Sequence, residues 1–451
     1  MSGMLLIIMT LLNSFQSPFP VVWDTLDNGL IVGVAQRKTL PIFQVYIAIK
    51  AGAIYDPQGK EGTANLVARM LDKGSEGLSA REIAERIEGV GGSLSISAHS
   101  YTTTISLRTL TDVMDMGLQV LQKVLLNPTF PEEFLEKEKQ RVISGIEEDK
   151  SDPNSVLENT FRKEVYGDHP LGRPVEGTEE TIKEITQEDL INFYSKYYAP
   201  NNAVCAVVTD LPPEEALTKI KDVLNGWEKK EVNFPEIPEP EPIRGKRVIF
   251  VNMDVNQAFL EMGNIAIKRS NPDYAALRAF NYILGGGGFV SRLVKEVRNK
   301  AGYAYDVHSY FEPGLYFPGP FVVGTETKIE TANDAIKRIL EVLKQTVNEG
   351  VTEDELKDTK AFYLGAIPRQ TETYGQVAYA LVHKVLFDLP DFYWLKDVEK
   401  IQKLTLEEAN RAGRKYIDPE NWVMVVVANV DSLKLEIPGV PSDSIILRTV
   451  K

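Results

Sequence analysis

Metal and nucleophile chemistry depends on histidine, cysteine and carboxylate side chains placed close together, and this chain offers few such groupings. Its histidines and its one cysteine are His99, His169, His308, His383 and Cys205. The histidines are far apart in sequence and belong to no local metal motif, and a lone cysteine excludes a cysteine-based zinc site and an internal disulfide. No nucleophile–base pattern replaces them, which disfavours a metal-independent hydrolase. Cys205 lies in an apolar run and is predicted to be a buried strand residue.

Several longer sequence blocks carry a family resemblance. They fall between Val22 and Asp431 and include TLDNGLIVGV at Thr25, GDHPLGRPVEGTEETIKEIT at Gly167, FYSKYYAPNNAVCAVV at Phe193 and ILGGGGFVSRLVKEVRNKAGYAYDV at Ile283. Together with the segment GKEGTANLVARMLDKG, these blocks resemble the pitrilysin/insulinase family of zinc peptidases, and most closely its processing-peptidase type.

The resemblance implies that the zinc site of the family is lost in this chain. In the family, a helix carries H-x-x-E-H, in which two histidines bind zinc and the glutamate is the general base, and a later helix supplies a third ligand, a glutamate. Asn65, Ala68 and Arg69 stand at the motif positions, and Gly145 stands at the third-ligand position when Pro153 anchors the alignment. Positions i, i+3 and i+4 share one helix face, but these side chains cannot hold zinc. We therefore expect neither zinc nor catalysis in this chain alone.

Arg69 and Gly145 raise a further hypothesis. A guanidinium that points to the former zinc position would be able to hold a carboxylate, either from within the protein or at a peptide C-terminus. The alternative is that Arg69 has drifted and pairs with a local acid such as Glu147 or Glu148. A register slip of two would place Glu147 at the third-ligand position, but one carboxylate cannot hold zinc alone.

The second half of the chain retains an arginine and a tyrosine seven residues apart, Arg298 and Tyr305. The resemblance implies that this pair helps to bind substrate or the oxyanion. A guanidinium and a phenol suit the negative charge that develops on a polarised peptide carbonyl. The alternative is a helix-end arginine and a strand tyrosine that serve only for packing.

Two further segments are candidates for peptide contact. Ser93, Leu94 and Ser95 open a strand that matches the edge strand on which family enzymes hold an extended peptide by β-augmentation. Gly286 and Gly287 belong to a glycine run that resembles the substrate-touching connection of the non-catalytic subunits, although the run here is shorter. No Lys-Ser/Thr follows it, so it is weak as a phosphate loop. The alternative for the strand is an ordinary sheet edge without a ligand.

The elements that must position these residues repeat along the chain. The segments KYYAPNN, around Pro200, and KYIDPEN, around Pro419, match at an offset of 219 residues, and PEEFLEKEK and TEDELKDTK match at 221, which indicates an internal duplication. Alternating and continuous apolar runs predict strands, whereas i, i+3, i+4 spacing predicts helices. The predicted strands are 30–34, 43–49, 103–107, 203–208, 248–251 and 422–427, and the predicted helices include 111–126 and 331–347. This order predicts an α+β fold with two homologous halves, each a mostly antiparallel sheet covered by helices. The resemblance adds that such a chain forms half of a clam-shaped chamber.

Composition shifts define the predicted domain boundaries. The segment 234–246 has four prolines alternating with acidic residues, which is typical of an extended linker. The predicted domains are 22–230 and 247–440, with a linker over 231–246 and a tail over 441–451. The apolar run Met4–Leu12 is long enough for a signal peptide and too short to span a bilayer, so 1–21 is predicted to be a signal peptide or a short membrane anchor. The alternative is an ordinary apolar N-terminal segment. A periplasmic or cell-envelope location follows, with the cytoplasm as the alternative.

The composition is that of a globular protein with an acidic surface. The chain has 451 residues, 43% of them hydrophobic and 25% charged, and a formal charge of −14, which disfavours a nucleic-acid partner. The expected partners are a family member with an intact H-x-x-E-H motif, which would hold the zinc in a heterodimer, and a peptide or unfolded polypeptide. Membrane contact is expected only through an uncleaved N-terminus. The sequence thus predicts a non-catalytic subunit of a zinc peptidase, with a structural or assembly protein and a stand-alone peptide-binding protein as alternatives.

Overall fold

The computed structural model describes residues 19–450, so the predicted signal peptide or anchor over 1–21 lies almost wholly outside the described residues. The chain divides into two compact units, and each is assembled from three stretches of sequence. Within 19–450, no helix has the length and apolar character that a membrane span requires.

The first unit contains the residues up to Ile146 together with Pro174–Glu236 and Ile367–Leu395. Its main strands are β1 (Val21–Thr25), β2 (Ile31–Gln36), β3 (Ile42–Ile49), β6 (Ser93–Ala98), β7 (Thr103–Leu110) and β8 (Ala203–Thr209), and a small ribbon is formed by β4 (Gly74–Ser75) and β5 (Leu78–Ser79). The six main strands form one sheet in the order β1-β2-β8-β3-β7-β6. Only β2 and β8 run parallel, so the sheet is mostly antiparallel, as predicted.

The position of each strand in this sheet explains its sequence. Every residue of β8 is buried, which fits its continuous apolar run AVCAVVT. Cys205, in β8, is fully buried as predicted, and this burial raises the pKa of its thiol to about 12, so the thiol stays protonated. By contrast, β6 alternates between exposed and half-buried residues in the sequence SLSISA, because it lies at the edge of the sheet.

The first half of the sequence also supplies eight helices. They are α1 (Thr63–Met70), α2 (Ala80–Glu88), α3 (Met114–Leu126), α4 (Glu132–Asp149), α5 (Pro153–Tyr166), α6 (Glu179–Glu184), α7 (Gln187–Tyr197) and α8 (Pro213–Leu224). Three of them begin at capping boxes, in which a Ser or Thr hydroxyl and the side chain three residues later satisfy backbone N–H groups reciprocally. The apolar face of α3, predicted over 111–126, is buried in the structure.

The second unit contains Glu147–Arg173, Ile237–Ala366 and the chain from Lys396 onward. Its strands are β9 (Lys246–Asn252), β10 (Gln257–Ile267), β11 (Ala304–Phe311), β12 (Gly319–Lys328), β13 (Trp422–Ala428) and β14 (Ile446–Thr449), in the sheet order β11-β12-β10-β13-β9-β14. The helices from this half of the sequence are α9 (Tyr274–Asn281), α10 (Ala332–Glu349), α11 (Glu353–Ala366), α12 (Tyr374–Leu386), α13 (Tyr393–Lys403) and α14 (Leu406–Tyr416).

The two sheets confirm the predicted duplication. The central order β2-β8-β3-β7-β6 of the first sheet corresponds strand for strand to β9-β13-β10-β12-β11 of the second. Chain order then pairs α1 with α9, and α4 with α11. The outermost positions differ, because β1 is antiparallel to β2 whereas β14 is parallel to β9. The predicted tail over 441–451 therefore contains a strand that extends the second sheet.

The units do not follow the contiguous boundaries predicted over 22–230 and 247–440. Helix α5, from the first half of the sequence, packs on β10 and β13 in the second unit, and α12 packs on β3 and β8 in the first. The apolar face of a helix is visible in the sequence, but the sheet that it covers is not. Residues 228–244 have no regular secondary structure, in keeping with a linker.

Candidate functional site

The helix with the degenerate motif, α1, is held at its N-terminus by a carboxylate. Asp56 accepts hydrogen bonds from the backbone N–H groups of Gly62 (2.7 Å) and Ala64 (2.8 Å), which would otherwise have no helical acceptor. Gly62 has a φ of +99°, a backbone conformation that favours glycine. The helix packs beside the edge strand β6 and against α7. All of its residues are buried except Arg69.

The side chains on α1 do not fit a zinc ion. Asn65 and Ala68 are both buried, and the Nδ2 of Asn65 has no hydrogen-bond partner. An amide is a poor zinc ligand, and a methyl group cannot act as a base. Among residues 19–450, no three His, Cys, Asp or Glu side chains are grouped so that they would hold a metal ion.

Arg69 contacts a carboxylate on α4. Its Nη1 lies 3.3 Å from Oε2 of Glu138, whose side chain is only 3% exposed, and Arg141 pairs with the other oxygen of the same carboxylate. The hypothesis predicted that Arg69 holds a carboxylate, and the structure provides one from within the protein. Glu147 and Glu148, which the sequence suggested as examples of a local acid, are not the partner: Glu138 lies nine to ten residues, about two and a half to three turns, nearer the N-terminus of α4.

Gly145 lies seven residues after Glu138 on α4, which is about two helical turns and nearly the same face. A Cβ built on Gly145 would meet no atom within 4 Å. The helix backbone is therefore retained at the predicted third-ligand position, while the side chain is absent and the space beside it is open.

The strand β6 presents an open edge next to α1. It pairs with β7 from Ser93 to Ala98 and has no partner strand on its other side in the part of the chain that the structure describes. Ser93 and Ser95 are exposed and Leu94 is half-buried. The edge position predicted for this strand is confirmed, and its backbone groups are placed as β-augmentation requires.

Arg298 and Tyr305 come together in the second unit. The Cζ of Arg298 lies 5.2 Å from the ring centroid of Tyr305 and 4.8 Å from that of Phe289, so the guanidinium contacts two aromatic rings. Tyr305 is 78% exposed and Phe289 is 68% exposed, so neither ring serves the core. These contacts are of the cation–π type and fix the position of the guanidinium.

Irregular backbone places this pair. Arg298 lies in a π-helical stretch, Val294–Lys300, and Tyr305 is the extra residue of a β-bulge, because the ladder between β11 and β12 skips from Ala304 to Asp306. Both features are uncommon and concentrate at functional sites, where they re-aim side chains. The seven-residue spacing of Arg298 and Tyr305 was visible in the sequence, but the bulge at Tyr305 was not.

The glycine run forms a second π-helical turn, Tyr282–Gly286, followed by a short turn over Gly288–Val290. A Cβ on Gly285 would lie 2.6 Å from the backbone nitrogen of Ser309, so only glycine fits against β11 there. Gly286 and Gly287 therefore belong to a tight connection between α9 and the next helical stretch. This connection exposes Phe289. Sequence reasoning missed Phe289, although an aromatic residue directly after four glycines was a visible signal.

Two family models match the chain. The model described as "Insulinase (Peptidase family M16)" matches residues 33–179, and the model described as "Peptidase M16 inactive domain" matches residues 184–363. Between them they match residues from both homologous halves.

Individual proteins give the same result. The non-peptidase homolog YmxG of Helicobacter pylori is 26% identical over 92% of this chain and 93% of its own length. A solved structure, the peptidase M16 inactive domain from Pseudomonas fluorescens, superposes with a TM-score of 0.87 at 29% identity, covering 92% of this chain and all of that one. The periplasmic protease PqqL of Escherichia coli shares the fold, with a TM-score of 0.77 at 17% identity over 92% of this chain and 46% of that chain.

Proposed function

Because the chain belongs to the insulinase family of peptidases, M16, and is an inactive homologue within it, we propose that it is the non-catalytic subunit of a two-chain zinc peptidase. The catalytic partner is a family member with an intact H-x-x-E-H motif, which holds the zinc ion and the general base. This chain completes the substrate chamber and contributes Arg298 and Tyr305.

One observation carries the proposal: the first half lacks metal ligands at its motif positions, whereas the second half retains Arg298 and Tyr305. The zinc positions hold Asn65, Arg69 and Gly145, and the carboxylate beside them is neutralised by arginines. In the second unit, Arg298 and Tyr305 are assembled on irregular backbone, and the half-buried guanidinium lies against the exposed rings of Phe289 and Tyr305. Exposed aromatic and strained elements are costly to keep without a use. This contrast supports a shared site, in which one chain supplies the metal and the other supplies the anion-stabilising groups.

The chemistry of the pair fits peptide hydrolysis. When water attacks a peptide carbonyl, negative charge develops on its oxygen, and preorganised donors stabilise that charge. The guanidinium of Arg298 is preorganised by the rings of Phe289 and Tyr305, and the Tyr305 hydroxyl is a second donor. The open edge of β6 offers backbone groups to an extended peptide, so the substrate class is a peptide or an unfolded polypeptide.

The proposal also includes a location. The apolar run Met4–Leu12 has the character of a signal sequence, and the periplasmic protease with the same fold shows that the architecture functions in that compartment. We place the chain and its partner in the periplasm or at the cell envelope. A fusion of residues 1–21 to alkaline phosphatase, which is active only after export, tests this directly.

The test is co-purification followed by kinetics. The tagged chain is co-expressed with an H-x-x-E-H relative from the same organism, and a stable complex is expected by size-exclusion chromatography. In that complex, Arg298→Ala is expected to lower kcat by roughly 100-fold, with a smaller change in KM, because it removes transition-state stabilisation. Arg414→Ala, which removes an exposed arginine from α14, is the control and should leave both constants unchanged.

A second candidate function rests on β6 alone. An open strand edge can bind an extended peptide without any catalytic partner, which would make the chain a stand-alone peptide-binding protein. In that case peptide binding would be undiminished in Arg298→Ala, and no complex with the H-x-x-E-H relative would form. A complex that forms but is equally active with Arg298→Ala would favour the structural or assembly role instead.

A further inference from the structure

The second unit contains a cavity at the place that corresponds to the degenerate zinc site of the first. Its volume is about 270 Å³, near the lower end for ligand pockets. Its walls include the π-helical turn Tyr282–Gly286 and three longer elements: α9, the end of α11, and the edge strand β11. In the duplicated fold these are the counterparts of α1, α4 and β6, which surround the zinc-motif positions in the first unit.

One arginine supplies the only formal charge on the walls of this cavity. Arg278 lies on α9, is half-buried, and forms no ion pair among residues 19–450. Its guanidinium lies 4.6 Å from the ring centroid of Tyr363 on α11. Burial raises the pKa of Tyr363, and the positive charge of Arg278 only partly offsets that rise, so the phenol stays neutral and cannot neutralise the arginine. A half-buried cation without a counter-ion faces the cavity.

The remaining walls are apolar or already satisfied. Aromatic and aliphatic side chains line the space, chiefly Tyr274, Leu277, Tyr282 and Phe311. The two buried polar residues bond each other: Ser309 donates to Asn281 Oδ1 (2.7 Å), and Asn281 Nδ2 donates to the Ser309 carbonyl (3.0 Å). A ligand therefore meets one cation that has no carboxylate partner, surrounded by aromatic and aliphatic side chains.

Nearby acids do not cancel this charge. In the sheet, Glu261 and His308 are the neighbours of Gly324 on its two sides, so their side chains lie on the same face. Ser309 and Phe311 lie on the opposite face, which faces the cavity. Tyr310 turns its hydroxyl toward Glu261 and so contributes only backbone to the cavity. On the cavity side, burial and the negative charge of Asp358 raise the pKa of Tyr282. Asp358 itself is exposed, so water screens its charge from Arg278.

From this geometry we propose that the cavity between α9, α11 and β11 binds a small aromatic carboxylate. The carboxylate pairs with Arg278, and the aromatic body lies among Tyr274, Leu277 and Phe311. Guanidinium and carboxylate match in charge and in planar, two-point geometry, and a flat apolar body fills the space between rings. This site is independent of the proposed catalytic partnership, since it lies wholly within the second unit.

The test uses 3-phenylpropanoate as the probe and its uncharged counterpart, 3-phenylpropanamide, as the reference ligand. Dissociation constants are measured on the full chain by ligand-observed NMR. The acid is expected to bind at least tenfold more tightly than the amide, since a charge-assisted pair replaces a neutral hydrogen bond. Arg278→Gln is expected to abolish that preference, whereas Arg278→Lys, which keeps the charge, retains part of it.

Arg414→Gln is the matched control, because it removes the same charge from an exposed position on α14 and should leave the preference intact. Melting temperatures of all variants establish that they are folded. Equal binding of acid and amide, an unchanged preference in Arg278→Gln, or the absence of saturable binding by folded wild-type chain would each overturn the proposal.

Discussion

At the residue scale, Arg69 belongs to a cluster of charges around Glu138. Glu138 is buried on α4 and lies between the guanidinium groups of Arg69 and Arg141. A buried carboxylate is strongly destabilising when it is unpaired. Arg69 therefore has a structural role, because together with Arg141 it neutralises the buried carboxylate of Glu138.

The arginine pair predicts non-additive stability changes. Arg69→Ala or Arg141→Ala alone is expected to cost about 0.5–1 kcal/mol, because both arginines are largely exposed and one still neutralises Glu138. The double variant is expected to cost about 3 kcal/mol, since it leaves the buried carboxylate without a partner. Urea unfolding measures these values.

A rescue variant makes this prediction sharper. Glu138→Gln, added to the double variant, removes the unpaired charge and should restore most of the lost stability. Strictly additive single and double effects, or no rescue by Glu138→Gln, would show that Arg69 is not needed to neutralise Glu138.

A half-buried acid, Glu261, predicts a pH dependence. Burial, followed by the nearby charge of Glu158, raises the pKa of Glu261 from its ordinary value to about 7, against the opposing effect of Arg162. A carboxyl whose pKa is higher in the folded state stabilises the fold at low pH, and this contribution is lost as the pH rises to about 7. The free energy of unfolding is thus expected to fall between pH 5 and pH 8 by on the order of 2–3 kcal/mol from this residue.

Glu261→Gln tests that expectation, because it replaces the titrating group with a neutral one of similar shape. Its melting temperature should exceed that of the wild type at pH 8 and approach it at pH 5. Glu330→Gln, at an exposed position, is the control and should follow the wild type. If the difference between Glu261→Gln and the wild type is the same at both pH values, Glu261 does not titrate in this range.

At the scale of elements, α1 and α4 lie side by side and are joined by the ion pair between Arg69 and Glu138. Asp56 still caps α1, and the position of Gly145 on α4 is open. The variant with Asn65→His, Arg69→His and Gly145→Glu is therefore expected to bind one zinc ion per chain, whereas the wild type binds none. Elemental analysis after dialysis measures the zinc content.

Omission of Gly145→Glu provides the control for zinc restoration, since two histidines alone should bind zinc much more weakly. If the folded triple variant takes up no zinc, α1 and α4 are too far apart for the three ligands to reach one ion. The backbone, and not only the side chains, would then differ from that of a zinc site.

Much of this element-level description was visible in the sequence. The strands around Val45, Ile105 and Val425 and the buried face of α10 were predicted from apolar spacing, and the edge position of β6 from its family match. The partner of Arg69 was not predicted, because spacing along one helix does not show which turn of another helix lies opposite. The bulge at Tyr305 was missed for a similar reason: a bulge depends on pairing between strands, not on the strand itself.

At the scale of the whole molecule, the two units exchange helices. Helix α5 comes from the first half of the sequence and covers the second sheet, and α12 comes from the second half and covers the first sheet. Periodicity predicted neither placement, because an apolar helix face carries no information on which sheet it will cover. Each unit is therefore incomplete without a segment from the other half of the chain.

This exchange predicts how the chain behaves when it is divided in the linker. Fragments ending at Glu236 and beginning at Ile237 are each expected to be poorly folded alone, because each lacks the helix that covers its sheet. Co-expression of both should give a folded 1:1 complex, measured by circular dichroism and light scattering. As a control, cleavage of an engineered protease site within 231–246 of the folded chain should leave the halves associated. Two soluble, cooperatively folded separate halves would contradict the exchange.

The proposed function requires that this chain and a zinc-bearing relative share one active site. The most direct measurement is hydrolysis of a fluorogenic peptide by three samples: this chain alone, its H-x-x-E-H-bearing relative from the same organism alone, and the two mixed. We expect cleavage only by the mixture, with the gain lost when the mixed chain carries Arg298→Ala. A relative that is fully active alone, with nothing added by mixing, would contradict it.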